Sequence, residues 1–197
     1  MMLLLMVAFT AITKSEAQTA VNPDYSLESS GGKLVLKSEG RVKVISENSM
    51  DTLPVQLGSC VYYAHNEIKE LSIKGVPYQY NIKEEKTAPL LLQLPETRLP
   101  SGKIVAMMAD KQRNRLYYSL KLREEQGMPI YTTILYDGSS VKEYMDGMIE
   151  SIDKEGRQTI IYYDVDPVGP YFFRNIYTPE GTVYKSFDKE YPAKASK

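Results

Sequence analysis

Cysteine and histidine are nearly missing from this chain: its 197 residues contain one of each, no tryptophan and four phenylalanines. A single Cys excludes an intrachain disulfide, and one His beside one Cys excludes a zinc site built from several such ligands. The same scarcity leaves little material for a nucleophile–base pair. An excess of either charge is missing too, with 24 Lys and Arg against 25 Asp and Glu. That balance removes the electrostatic case for a nucleic-acid partner or a polybasic membrane-surface protein. Neither a G-x-x-x-x-G-K-[ST] loop, nor a G-x-G-x-x-G turn, nor a G-x-S-x-G elbow occurs. Phosphate cradles and the serine nucleophile of that motif therefore lack their signatures, and no cofactor is implied. At about 150 residues per domain, the length allows one domain or two small ones without a covalent staple.

What is present begins with an apolar run, MMLLLMVAFTAIT, followed by the small residues Ser15 and Ala17. Thirteen residues at about 1.5 Å each span roughly 20 Å, too little for a bilayer core of about 30 Å, so residues 1–17 read as a signal peptide. The expected location is secreted, or periplasmic within a cell envelope, with no integral membrane span after signal removal. A membrane barrel is disfavoured because the candidate strands carry Lys, Arg or Glu on what would be the lipid face, where Lys or Arg costs about 2–4 kcal/mol at midplane. Residues 18–31 are polar and aperiodic, a tail before a fold starting near Gly32. Cys60 lies in an apolar strand-like run and reads as a buried free thiol.

Residues 32–85 form an N-terminal β region and 86–102 a docked connector, in which Pro89, Pro95 and Pro100 interrupt Leu90, Leu91, Leu92 and Leu94. Residues 103–191 form a second, α+β region, either separate from the first or one continuous domain with it, and 192–197 a polar tail. Strands are expected at Lys33–Lys37, Arg41–Ile45, Val55–Tyr63, Glu70–Lys74, Tyr78–Lys83, Lys103–Ala109, Leu116–Arg123, Met128–Tyr136, Arg157–Asp164, Tyr171–Tyr177 and Thr182–Phe187. Glu47–Pro54 reads as loop, and Asn66–Ser72 could instead form a helical turn. A three-residue Ser38-Glu39-Gly40 turn would put Leu34, Leu36, Val42 and Val44 on one inner face. Val141, Tyr144, Met145, Met148, Ile149 and Ile152 recur at helical spacing, Ser140 with Glu143 suggests a capping box, and Gly156 suits a C-terminal stop. The expected fold class is therefore α+β, mostly antiparallel sheet with one amphipathic helix, residues 141–154, packed on a sheet face. Similar x-Glu-Gly triplets ending at Gly40, Gly156 and Gly181 are unequally spaced, which indicates shared turn chemistry rather than a solenoid or propeller.

Two pairings test the catalytic readings. Cys60 and His65 are five residues apart, which on a strand places them on opposite faces, so a dyad needs a turn near His65. Asp164 and Asp166 share one side of a strand before Pro167 and Gly169, a spacing that serves a metal or a carboxylate-dependent hydrolase acting on a polysaccharide. The basic run Lys111–Arg115 reads as a solvated hairpin tip.

Tyrosine is the outlier, with 16 residues, eleven of them beyond residue 98. Three doublets, Tyr62-Tyr63, Tyr117-Tyr118 and Tyr162-Tyr163, send one ring to each face of a strand, so one ring per pair cannot sit in a one-sided core. Either a second layer covers it, or it lies flat on a wet sheet surface, or it lines a binding surface, for which a phenol offers area and a polar handle. Tyr117, Tyr118, Tyr162, Tyr163 and Tyr171 are the candidate ligand-binding residues, and Asp164 and Asp166 the candidate metal residues. The expected function is a non-catalytic binding or interaction module for a glycan, peptide or partner protein. The alternatives are the hydrolase and a partner-binding protein acting by β-strand augmentation.

Overall fold

Two of the three tyrosine doublets, Tyr62-Tyr63 and Tyr117-Tyr118, find a second layer. The computed structural model describes residues 26–30, 32–38, 40–69, 72–90 and 99–191. The expected signal peptide, residues 18–25 of the tail, residues 91–98 of the connector and the 192–197 tail lie outside the described residues. Among the described residues, fifteen strands form four antiparallel sheets, each a run of strands consecutive in the chain. Sheet 1 holds β1 (Ser26–Ser30), β2 (Lys33–Ser38) and β3 (Arg41–Ser46). Sheet 2 holds β4 (Asp51–Leu57), β5 (Cys60–Lys69), β6 (Ser72–Asn81) and β7 (Lys86–Pro89). Sheet 3 holds β8 (Lys103–Asp110), β9 (Arg115–Glu125), β10 (Met128–Tyr136) and β11 (Val141–Asp146). Sheet 4 holds β12 (Met148–Ile152), β13 (Gln158–Asp166), β14 (Gly169–Tyr177) and β15 (Val183–Ser186).

The sheets stack in chain order, giving three apolar layers. Leu34, Leu36 and Ile45 of sheet 1 meet Val61, Tyr63 and Tyr80 of sheet 2. The opposite face of sheet 2, with Leu57, Tyr62 and Ala64, meets Ile104, Met107, Leu116, Tyr118, Leu120 and Ile134 of sheet 3. The opposite face of sheet 3, with Tyr117 and Leu135, meets Ile149, Ile160 and Tyr162 of sheet 4. Each doublet sits on the second strand of its sheet, β5, β9 or β13; alternation drives the rings of the first two into different layers, while Tyr162 joins the layer between sheets 3 and 4 and Tyr163 takes the other face of β13. Tyr117 is 0% exposed and Tyr118 1%.

The fold class is thus all-β, not α+β, and the described residues contain no helix. Residues 141–152 run instead as β11, Gly147 and β12. Two register shifts created the helical spacing: β10–β11 slips between Thr133 and Ile134, opposite Tyr144, and β12–β13 slips between Ile149 and Ser151. Each extra residue breaks the two-residue period, so apolar side chains fall at intervals of three and four. The single helical face is in fact two strand faces, since Val141 joins the layer between sheets 2 and 3 while Tyr144, Met145, Ile149 and Ile152 join the layer between sheets 3 and 4. Ser140 caps no helix; its N–H and hydroxyl both donate to the Asp137 carboxylate in the β10–β11 turn. Gly156 has the anticipated positive φ, 80°, but uses it between β12 and β13.

Other boundaries moved for local reasons. Val55–Tyr63 is split by a Gly58-Ser59 turn, Gly58 having φ 58°. Residues 51–54, read as loop, belong to β4, and β5 continues as strand through Lys69. Glu28 pairs with Val35 in β1–β2, so a strand forms N-terminal of Gly32. Ser38 pairs with Arg41, a register that turns Val42 outward at 69% exposure and brings Ile45 inside.

Buried polar groups join the layers. Asn66 exchanges two hydrogen bonds with Ile104 (3.1 and 2.9 Å), and the Gly75 N–H donates to the Gly102 carbonyl at 2.7 Å, tying sheet 2 to β8. Between sheets 3 and 4, the Ser119 and Thr133 hydroxyls lie 2.8 Å apart. Ser119 Oγ accepts from the Ile149 N–H, and Thr133 donates to the Gly147 carbonyl.

Gly147 is the corner where one continuous strand leaves sheet 3 for sheet 4. Its φ is 91°, and a Cβ there would lie 2.7 Å from Ile160 Cγ2 and 2.8 Å from the Ile161 carbonyl oxygen. Gly147→Ala is expected to lose about 2–4 kcal/mol from left-handed strain and overpacking together, read as a lower urea midpoint. An unchanged midpoint would show that this corner is not tight.

Burial pushes the phenols of Tyr62, Tyr63, Tyr118, Tyr144 and Tyr162 up, Tyr63 to about 12 with the Asp51 carboxylate adding to the effect. A phenol ionises near pH 10 in the unfolded chain, so the folded state holds more protons above that pH. Stability should be full below about pH 10 and fall as pH rises beyond it. Urea midpoints from pH 7 to 12, with tyrosinate absorbance recorded in parallel, test this; ionisation of every phenol near pH 10 with the fold intact would contradict it.

Candidate functional site

Sheet 3 is uneven. β9 and β10 are its longest strands, while β8 pairs only as far as Lys103↔Lys121 and β11 only as far as Thr132↔Asp146. The end of the β9–β10 hairpin, from Leu122 to Tyr131, therefore projects past its neighbours. A tight Gln126-Gly127 turn closes it, both residues having positive φ (51° and 79°), the backbone of a type I′ hairpin turn. The β9–β10 register shifts between Ile130 and Tyr131, and the Gly147 N–H donates to the Tyr131 carbonyl at 2.9 Å. The bulge and this bond bring Tyr131 to β13, its ring centroid 5.6 Å from Tyr163 at 53°.

A groove results between the hairpin end and sheet 4. Its larger lobe, about 310 Å³, is lined by Arg123, Glu125, Pro129, Ile130, Tyr131, Asp146, Gly147, Tyr162 and Tyr163. A second lobe of about 280 Å³ shares Glu125, Ile130 and Tyr163 and adds Gln126, Met128, Asp164 and Val165. Three phenol rings and three carboxylates thus meet in one concavity, with Pro129 and Ile130 among its lining residues. Arg123 is paired with Glu125 at 3.3 Å. Burial raises the Tyr131 and Tyr163 phenols, the neighbouring Tyr163 adding to the first and Glu150 to the second. Tyr162 is raised by burial and by its 2.7 Å hydrogen bond with Tyr177.

The sequence-based candidates separate. Tyr162, Tyr163 and Asp164 line the groove. Tyr117 and Tyr118 are core side chains, because sheets on both sides cover β9. Tyr171 is buried beside the groove's back wall, its hydroxyl donating to Asp164 at 3.0 Å and its ring near Phe173 and Tyr191. Asp166 faces the β13–β14 turn, where its carboxylate accepts from Val168 N–H, Gly169 N–H, the Tyr191 hydroxyl and Lys189. The Tyr191 hydroxyl, with Lys189, holds Asp166 below the usual carboxylate range. Asp164 and Asp166 gain no third ligand, and no metal-holding group of three His, Cys, Asp or Glu side chains forms among the described residues.

His65 is a strand residue, not the turn residue its sequence context suggests. Its Nδ1 lies 2.5 Å from Asp51, which also accepts from Ser46 at 2.5 Å, so the buried Asp51 carboxylate ties sheet 1 to β4 and β5. Cys60 points to the other face of β5, where the Gln79 amide donates to its sulfur at 3.0 Å. No turn brings the two together, so no dyad forms. Tyr131, Arg123, Glu125 and Asp146 were missed as site residues. Asp146 was hidden inside the expected helix, and only the overhang of β9–β10, a register property, reveals the others.

Comparison with protein-family models, with curated proteins and with solved structures finds no match. Among the described residues, no helix is long and apolar enough to cross a membrane.

Proposed function

We propose that this chain is an exported, non-catalytic binding module that holds a glycan, a peptide or a segment of a partner protein in the groove between the β9–β10 hairpin end and sheet 4. The observation that carries this reading is the convergence on one concavity of Tyr131 and Tyr163, which belong to none of the three apolar layers, with Tyr162 from the layer between sheets 3 and 4. Most other tyrosines have a structural explanation. Tyr62, Tyr63, Tyr80, Tyr117 and Tyr118 fill the layers between sheets, whereas the groove rings are only partly covered. Such rings offer contact area at small entropic cost.

A hydrolase would use the same groove through Glu125, Asp146 or Asp164. Strand augmentation would use β15, a four-residue edge whose side chains are all exposed, but Lys185 there is the kind of charge that discourages edge pairing.

Glycan and peptide arrays probed with the mature chain test the reading. Tyr131→Ala and Tyr163→Ala should each weaken the best hit about tenfold, which is about 1.4 kcal/mol, with the urea midpoint nearly unchanged. Hits indifferent to both substitutions would overturn the site. Turnover of a polysaccharide abolished by Asp164→Asn would move the chain to the hydrolase reading.

A further inference from the structure

Resting on that reading, we propose that the groove's ligand is a basic, extended peptide segment, with a Lys or Arg side chain laid on the Tyr131 and Tyr163 rings and its cationic head at Asp146. The charge balance of the groove points this way. Three carboxylates line it against one guanidinium, and that guanidinium is already engaged by Glu125. Asp164 has partners for both oxygens, the Tyr171 hydroxyl and the Val165 N–H, but neither carries charge. The exposed Asp146 side chain makes no hydrogen bond or ion pair among the described residues, although Tyr131, Tyr162 and Tyr163 line the same lobe. An aromatic wall beside an uncompensated carboxylate favours an organic cation twice, through the ring quadrupole and through direct ion pairing. A neutral sugar could donate hydroxyl hydrogen bonds to these carboxylates but would leave their charge uncompensated.

The same sheet already contains this recognition in miniature. Lys189 Nζ lies 4.1 Å from the centroid of Tyr171 while its charge rests on Asp166 at 3.1 Å. Arg157 likewise lies over Tyr184 at 4.7 Å and pairs with Asp153 at 2.7 Å. In the groove the Tyr131 and Tyr163 rings and the Asp146 carboxylate line one lobe, and the lobe's lining cation, Arg123, is paired with Glu125 rather than with Asp146. The combined lobes run along β13 from Tyr162 to Val165, which suits an extended chain better than a compact ligand. Their size falls near the low end of ligand pockets, about 300–1,000 Å³.

Fluorescence anisotropy with three probes tests the inference: a labelled Gly-Ser nonapeptide carrying three Arg, its citrulline counterpart, and cellohexaose. The Arg peptide should bind at least tenfold tighter than the citrulline peptide, and its affinity should fall several-fold between 50 and 500 mM NaCl. Asp146→Asn should weaken the Arg peptide five- to tenfold and Tyr163→Leu about tenfold, whereas Glu47→Gln on sheet 1, a change of equal charge, should leave it unaltered. Equal affinity for the Arg and citrulline peptides, or equal losses in Asp146→Asn and Glu47→Gln, would overturn the cationic ligand. If Tyr163→Leu still abolished binding of cellohexaose or the citrulline peptide, the groove would stand as a binding site with a neutral ligand. Failure of wild-type protein to bind the Arg peptide overturns the inference, and the array hits then decide the fate of the groove itself.

Discussion

Burial of both faces of the inner sheets is the constraint on which the rest of this structure depends. An antiparallel sheet with one wet face alternates apolar and polar residues, but sheets 2 and 3 have an apolar layer on each side, and their second strands cannot alternate. Val61-Tyr62-Tyr63-Ala64 in β5 and Leu116-Tyr117-Tyr118 in β9 are therefore apolar or aromatic at every position. Tyrosine fits this demand, since its ring spans much of the roughly 10 Å between packed sheets. The fit is incomplete. The hydroxyl of Tyr118 is buried without a hydrogen-bond partner among the described residues, so ring volume outweighs polar satisfaction at this position.

The groove follows from the same architecture by way of strand length. Sheets that covered one another fully would leave no concavity. Here β9 and β10 outrun β8 and β11, and the projecting hairpin must meet whatever lies next in the stack, which is β13. Gly147 fixes the meeting by carrying the chain around the corner while bonding Tyr131. Behind the site, the Arg174 guanidinium chelates Glu150 at 2.7 and 3.0 Å and also reaches Glu190 at 2.6 Å, bracing β12 and the C-terminal segment against β14. The rings therefore stand on braced strands, which limits the ordering cost of binding.

Much of the sheet structure was legible in sequence because strand propensity and turn residues agree along most of the chain. β2, β8, β9, β10, β13 and β14 fall close to their expected positions, each bounded by Gly, Asn, Asp or Pro. The helix over 141–154 failed for a specific reason: bulges at Tyr144 and Glu150 converted strand periodicity into a convincing imitation of helical periodicity, and a turn built on Asp137 imitated a cap. Periodicity cannot distinguish one helical face from two strand faces separated by bulges. The doublets were legible as a two-sided demand, but which rings met a second layer depended on how many sheets lay above and below. Tyr117 and Tyr118 have a sheet on each side, whereas Tyr163 lies at the margin of the last one. Tyr162, Tyr163 and Asp164 could be found from composition and alternation. Asp146 and Glu125 could not, because they join the groove only through the registers that leave the hairpin overhanging.

The principal packing between sheets joins neighbours in the chain, sheet 1 with 2, 2 with 3 and 3 with 4. For an all-β protein this is an unusually local wiring, since sandwiches and barrels commonly bring distant strands together and fold slowly as a result. A chain organised in this way can gain its structure in order of synthesis. Each meander closes from adjacent residues, and the face it leaves bare is covered by the next to emerge. Sheet 4, which completes the groove, is the last to arrive, so a growing chain acquires its recognition surface only after the layers beneath it have formed.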